Sequence, residues 1–163
     1  MRIASELTTQ RSQKVSADDV PASEILLNGK STQRFVSGAV LEAAVQWENC
    51  FLLFLTDDVP YEEMLRIVLL DQQLKVVDSA LIGGPYSTGS FSALSLREPN
   101  CVEFRFIGDS DWLIELLGRA RLRLPFFSEP TGVYRRFGFS RHFIVRGNPR
   151  PQRAAPRVSN GGK

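Results

Sequence analysis

Hydrophobic and polar residues alternate along much of the chain, which is the spacing of a β-strand with one buried face. The alternation is clearest between Cys101 and Phe106, where valine and phenylalanine occupy one face and Glu103 and Arg105 occupy the other. The segment Cys50–Leu55 is apolar at every position, which predicts a strand buried on both faces. Turn residues separate the predicted strands, which cover residues 36–47, 50–55, 64–70, 74–81, 91–96, 101–106 and 112–117.

Two further strands are predicted near the end of the patterned region. After Gly118, three arginines alternate with Ala120, Leu122 and Leu124, and these apolar side chains are expected to face the core. The arginines would then share the opposite face at intervals of about 7 Å. The last predicted strand puts His142 and Ile144 on its outer face, while the parity that faces the core holds Phe137, Phe139, Phe143 and Val145.

Short strands joined by turns, with few helix signals, predict an all-β fold. We expect a single domain over residues 22–147, an antiparallel meander that forms a sandwich or an open barrel with little helix. Residues 1–21 are polar and lack a period, so they are predicted to be a flexible N-terminal segment. Residues 148–163 are predicted to be a disordered, basic, proline-rich tail.

Composition adds little that separates this chain from other globular proteins. Hydrophobic residues make up 43% and charged residues 23% of the chain, which is ordinary for a globular domain. No apolar run approaches the roughly 20 residues of a membrane helix, and the first residues lack a signal-peptide core. We therefore expect a cytoplasmic protein of bacterial style that has no contact with a membrane. Cys50 and Cys101 each lie in an apolar run, which predicts buried free thiols.

A glycine-rich stretch at Leu81–Ser90 is the first candidate site, because glycine loops often bind phosphate. Pro85 removes one backbone N–H from it, no lysine follows at the required place, and the next residues alternate as a strand does. A structural loop between strands is therefore the better interpretation. His142 is the single histidine and has no catalytic context in the sequence, so no catalytic residue and no cofactor is predicted.

An acidic turn is the second candidate site, since four carboxylates lie within seven residues. Carboxylate oxygens bind divalent cations, and a desolvated pair of carboxyl groups performs acid–base chemistry. The spacing matches no calcium loop, so a solvated turn or an acidic surface for a partner is favoured over a metal site. The four residues are Asp57, Asp58, Glu62 and Glu63.

The charge distribution is the third candidate feature. From Gly118 to Lys163 the chain has eleven basic residues and one acidic residue, whereas the rest has nine basic and seventeen acidic residues. Such asymmetry is typical of surfaces that bind polyanions. The basic residues could instead pair with acids of the same domain, Glu103 and Glu115 above all, or solvate an edge strand. The strand residues proposed for the surface are Arg119, Arg121, Arg123, Arg141 and Arg146.

Three functions are consistent with these patterns. The first is a non-catalytic binding module that recognises another protein through the arginine row or the acidic turn. The second is binding of nucleic acid or another polyanion by the arginines, assisted by the basic tail. The third is a metal- or carboxylate-dependent enzyme with its site near residues 57–63. Nothing in the sequence argues for an enzyme, and the sequence predicts no oligomeric state.

Overall fold

The computed structural model describes residues 1–15, 20–59, 64–84, 89–107, 110–122, 129–136 and 138–147. Over these ranges the fold is all-β, as predicted, and contains no helix, so none is present that could cross a membrane. The strands are β1 Arg2–Ile3, β2 Leu7–Val15, β3 Pro21–Leu27, β4 Lys30–Ser37, β5 Val40–Trp47, β6 Cys50–Thr56, β7 Leu65–Leu70, β8 Val76–Ile82, β9 Ser92–Arg97, β10 Cys101–Arg105, β11 Asp111–Leu122, β12 Val133–Tyr134 and β13 Ser140–Gly147.

The strands form three antiparallel sheets that stack as layers. The central sheet has the order β1-β5-β6-β7-β8-β12, and its four long middle strands follow one another as a meander. The large cover sheet, β13-β11-β10-β9, packs on one face of the central sheet. The small cover sheet, β2-β3-β4, packs on the other face. The predicted sandwich is thus confirmed, and the sheets do not close into a barrel.

Strand β6 is buried on both faces, as its sequence predicted. Leu52 and Phe54 enter the core that the central sheet shares with the large cover sheet. Leu53 and Leu55 point the opposite way, into the core shared with the small cover sheet. Since successive side chains of a strand alternate between faces, an uninterrupted apolar run is what a shared central strand needs.

The small cover sheet covers only part of the central sheet. Strands β5, β6 and β7 contribute buried residues to both cores, whereas β8 contributes Ala80 and Ile82 to the core under the large cover sheet only. The opposite side chains of β8, Ser79 and Leu81, are only partly buried. One end of this face is therefore left open beside β4.

The prediction of a flexible N-terminal segment is wrong for residues 1–15. They form β1 and β2, which pair with β5 and β3 by backbone hydrogen bonds. Strand β2 is polar apart from its ends, and backbone pairing does not need an apolar pattern. Ala4 and Leu7, each 2% exposed, anchor the segment in the core under the small cover sheet. Residues 16–19 and the predicted tail, 148–163, lie outside the described residues.

The predicted strand over residues 36–47 is in fact two strands, β4 and β5, because the chain turns at Gly38. Gly38 has a φ of +130°, and a Cβ atom there would lie 2.6 Å from Leu55 Cβ. The Ser23 hydroxyl donates a 2.8 Å hydrogen bond to the Gly38 carbonyl and fixes the turn. The turn could not be seen in the sequence pattern, because apolar residues lie on both sides of it.

The arginine row is the end of β11 and not a separate strand, since β11 runs without interruption through Gly118. The expected orientation is also wrong, because Ala120 is exposed and Leu122 is 87% exposed. The register against β13 shifts between Leu116 and Arg121, and the regular alternation of buried side chains in β11 ends within this stretch. Leu124 lies outside the described residues.

The last strand, β13, follows the predicted alternation only in part. Phe143 and Val145 are buried in the core under the large cover sheet, as expected. Phe139 precedes β13 and is 50% exposed, so its expected place in the core is wrong. His142 is partly buried, and Ile144, expected outside, is 5% exposed. Phe137 lies outside the described residues.

Candidate functional site

A groove of about 410 Å³ lies where the small cover sheet ends above the central sheet. One wall is β4, where the consecutive residues Phe35, Val36 and Ser37 line the groove. Consecutive strand residues point to opposite faces, so three in a row line a cavity only when the edge of the strand borders it. Strand β4 is an edge strand of the small cover sheet, which agrees with this geometry.

The floor of the groove is the open face of β7 and β8. It is mainly apolar, with Val68, Val76 and Leu81 beside the Ser79 hydroxyl. Arg66 lines the same floor, and its guanidinium holds both oxygens of Asp57 at 2.7 and 2.9 Å. This bidentate geometry fixes the planar guanidinium of Arg66 in one orientation.

The far wall is the segment around β12. Tyr134 is 53% exposed at the rim, and Arg136 beside it is also exposed. Arg135 lies between them, but its side chain turns into the protein and is only 2% exposed. The wall is therefore held from inside by a buried cation.

Arg135 belongs to a buried charge cluster, which we define as Asp78, Glu129, Arg135 and Arg141. Arg135 Nη1 donates to Asp78 Oδ1 at 3.0 Å, and Arg135 Nη2 donates to the Phe143 carbonyl at 3.0 Å. The guanidinium also lies 4.2 Å from the centre of the Phe143 ring, a cation–π contact. These bonds join the central sheet to β13 of the large cover sheet.

The Asp78 carboxylate makes the same connection from the other side. Its Oδ2 accepts a hydrogen bond of 2.7 Å from the backbone N–H of His142 and one of 3.4 Å from that of Phe143. Its side chain is 6% exposed, and a buried carboxylate is tolerated only when cations and N–H groups surround it. Asp78 and Arg135 together close this edge of the sandwich.

Glu129 completes the cluster but is incompletely bonded. Its Oε1 lies 2.9 Å from Arg135 Nε and 3.8 Å from Arg141 Nε. The Nε–H of Arg135 does not point at that oxygen, so the contact is an ion pair without a hydrogen bond, and Glu129 Oε2 has no hydrogen-bond partner among the described residues. Burial lowers the pKa of the Arg135 guanidinium, and the charges of Asp78 and Glu129 oppose that effect.

The structure separates the five arginines that the sequence grouped. Arg119 and Arg121 are exposed, and among the described residues their side chains make no hydrogen bond or ion pair. Arg141 is buried in the charge cluster, and Arg146 binds Glu115 at 2.9 Å. Arg123 lies outside the described residues.

The expected pairing with an arginine of the C-terminal half is found for Glu115 but not for Glu103, whose partner Arg97 comes earlier in the chain. Glu115 binds Arg146, and Glu103 binds Arg97 at 2.8 Å. Neither carboxylate is paired with Arg119 or Arg121. These are exposed pairs across neighbouring strands, which contribute at most about 1 kcal/mol each.

The acidic turn does not bring its described carboxylates together on one ligand. Asp57 forms an ion pair with Arg66, and Asp58 lies 3.5 Å from Arg11. Glu62 and Glu63 lie outside the described residues. Over the ranges that the structure describes, no three His, Cys, Asp or Glu side chains are grouped as a metal site.

The two cysteines and the glycine-rich stretch are the remaining candidates from the sequence. Cys50 and Cys101 are free and partly buried. Burial raises the pKa of both thiols, with smaller contributions from nearby carboxylates, so the reactive thiolate is disfavoured. The described part of the glycine-rich stretch connects β8 to β9, and residues 85–88 lie outside the described residues.

Comparison of the chain with models of known protein families, with curated proteins and with solved structures found no match. The site must therefore be judged on its geometry and its chemistry.

The groove and the charge cluster were both missed at the level of sequence. One signal was present, since Asp78 interrupts an otherwise apolar parity that continues with Ala80 and Ile82. A carboxylate at a core position requires a buried cation. The identity of that cation, 57 residues further along the chain, could not be read from local pattern.

We expect Arg135→Met to lower the free energy of unfolding by about 3–5 kcal/mol, because it leaves Asp78 and Glu129 buried without their main countercharge. Urea denaturation measures the loss. The matched control is Arg146→Met, which removes an exposed arginine and should cost at most about 1 kcal/mol. Arg135→Lys keeps the positive charge but lacks the planar guanidinium, so its loss of unfolding free energy should lie between those of the two methionine variants. Equal losses of unfolding free energy in the two methionine variants would show that the buried charge cluster does not stabilise the edge of the sandwich at β8 and β13.

Proposed function

We propose that this protein is a non-catalytic binding module that recognises a segment of another protein in the groove. The observation that carries the proposal is the combination of an apolar floor, aromatic side chains at both rims and an edge strand as one wall. Phe35 and Tyr134 are 44% and 53% exposed at these rims. Exposed aromatic side chains supply much of the binding free energy in protein interfaces.

The size of the groove supports a short segment as its occupant. Ligand clefts occupy roughly 300–1,000 Å³, and the groove lies near the lower end of that range. The polar groups at the groove supply orientation and specificity, not a catalytic arrangement. We further propose that the protein acts in the cytoplasm, where its two free cysteines would remain reduced.

A library of short random peptides, displayed and selected against the intact protein, tests this function. We expect the selection to enrich peptides whose affinity falls about tenfold or more in Phe35→Ala and Tyr134→Ala, because each change removes an aromatic side chain from the rim. Fluorescence anisotropy with the enriched, labelled peptides measures the affinities.

The control is Ile3→Ala, which removes a 48% exposed apolar side chain from β1, at the opposite edge of the central sheet. This variant should bind the peptides as the unchanged protein does. The proposal is wrong if no peptide is enriched, or if the enriched peptides bind both rim variants and the control equally.

Binding of nucleic acid or another polyanion is a second candidate, which the exposed pair Arg119 and Arg121 favours. Both side chains are available for phosphate, and arginine binds phosphate in a bidentate geometry. The burial of Arg141 and the pairing of Arg146 leave the described surface smaller than the five-residue patch expected from the sequence. The protein groove is therefore the first proposal.

For this second candidate, Arg119→Gln/Arg121→Gln should weaken binding of labelled single-stranded DNA. The dependence of log affinity on log salt should become shallower by about 0.7 for each phosphate that the variant no longer binds. The matched control is Arg97→Gln/Arg105→Gln, which removes two exposed arginines that already bind Glu103 and Asp111. Equal effects of the two double variants, or binding that ignores salt, would exclude a specific role for Arg119 and Arg121.

A further inference from the structure

A second cavity lies where β11 extends beyond its neighbour β10. The pairing of the two strands ends at Glu115, and Asn100 closes this side of β11 through two hydrogen bonds to Leu116. The Asn100 carbonyl accepts one of 2.8 Å from the Leu116 N–H, and Asn100 Nδ2 donates one of 2.7 Å to the Leu116 carbonyl. The cavity beyond this point has a volume of about 470 Å³ and is lined by Glu48, Leu117, Gly118, Arg119 and Arg121.

The backbone of β11 is open at this cavity. The register against β13 shifts at residues 117–120, which lie opposite His142 alone. The His142 N–H already donates to Asp78 Oδ2, so His142 has only its carbonyl left for these four residues. Gly118 is exposed, and a Cβ atom placed on it would have no atom of the described residues within 4 Å. Backbone N–H groups without a strand partner can bind an anion.

Two sheets supply the charged side chains of the cavity. Arg119 and Arg121 come from the large cover sheet, and Glu48 comes from the turn between β5 and β6 of the central sheet. All three side chains are exposed, and within the described ranges none of them forms an ion pair or a hydrogen bond. Most arginines of the described chain bind a carboxylate, so two unpaired arginines at one cavity are unusual for this protein.

These charges specify an anionic group and a hydrogen-bond donor in the same ligand. Arginine binds phosphate through paired N–H groups, and Arg119 and Arg121 outnumber the single carboxylate. An ionised carboxylate only accepts hydrogen bonds, so Glu48 requires a ligand group that donates. Ribose hydroxyls donate to carboxylates in nucleotide sites, and the ribose carries the phosphate on the same sugar. A ribonucleotide therefore complements all three side chains.

We propose that this cavity binds the ribose–phosphate unit of a ribonucleotide, with the phosphate on Arg119 and Arg121 and the ribose hydroxyls on Glu48. Leu117, which is 7% exposed, gives the ligand an apolar contact. The inference rests on the second candidate function, binding of a polyanion, and names its ligand. Free nucleotides and single-stranded RNA both contain this unit, so both serve as probes.

The first test compares labelled single-stranded RNA and DNA of one sequence, with uracil in both, by fluorescence anisotropy. We expect the RNA to bind the intact protein about fivefold or more tightly, because the DNA lacks the 2′-hydroxyl that donates to Glu48. Glu48→Ala should bring the ratio of the two affinities close to one. The matched control is Glu103→Ala, which removes a carboxylate outside the cavity and should leave the ratio unchanged.

The second test locates the site and separates the two sources of the ligand. In NMR spectra of the intact protein, the RNA should shift the amide resonances of Gly118 and Arg119 and should leave that of Val68, on the floor of the groove, in place. Adenosine 5′-monophosphate that binds as tightly as the RNA would identify a free nucleotide as the ligand. Weaker binding of the monophosphate would identify RNA.

Two results overturn the inference but leave the second candidate function standing. One is equal affinity for RNA and DNA, and the other is a preference for RNA that survives Glu48→Ala, provided that binding still depends on salt and on Arg119 and Arg121. Resonances of Gly118 and Arg119 that do not move would overturn the inference as well. If neither nucleic acid binds, the inference and the second candidate function both fail.

Discussion

Burial of the central sheet on both faces is the constraint on which the rest of the structure depends. Strand β6 sends Leu52 and Phe54 into one core and Leu53 and Leu55 into the other, so the two cores share a backbone. Each cover sheet then needs only one apolar face, and their outer surfaces are free to carry charge. This explains why a chain of ordinary composition holds three layers within 163 residues.

The candidate site follows from the way in which this layering ends. Asp78 and Arg135 connect the central sheet to the β13 edge of the large cover sheet. They form an ion pair with each other, and the side chain of each makes a hydrogen bond to the backbone of β13. The same arginine holds the segment that carries Tyr134 and Arg136. On the other face the small cover sheet stops at β4. The groove lies between the segment around β12, which Arg135 holds in place, and the edge strand β4.

The fold class and the doubly buried strand could be predicted from the sequence, because period-two alternation and uninterrupted apolar runs are local signals. The N-terminal strands could not, since β2 is held by backbone pairing that leaves no side-chain pattern. The orientation of the arginine row could not be predicted either, because the register against β13 shifts between Leu116 and Arg121 and both faces of the strand beyond the shift are exposed. Arg141 illustrates the same limit for function: its charge was evident, but its burial beside Glu129 depends on residues distant in the sequence.

The three-layer arrangement is tested most directly at two neighbouring residues of β6. Leu52 and Leu53 are 1% and 0% exposed and point into opposite cores. In urea denaturation, Leu52→Ala and Leu53→Ala should each lower the free energy of unfolding by about 2–5 kcal/mol. A loss for one variant with a change within about 0.5 kcal/mol for the other would contradict the account, because it would place one face of the central sheet in solvent.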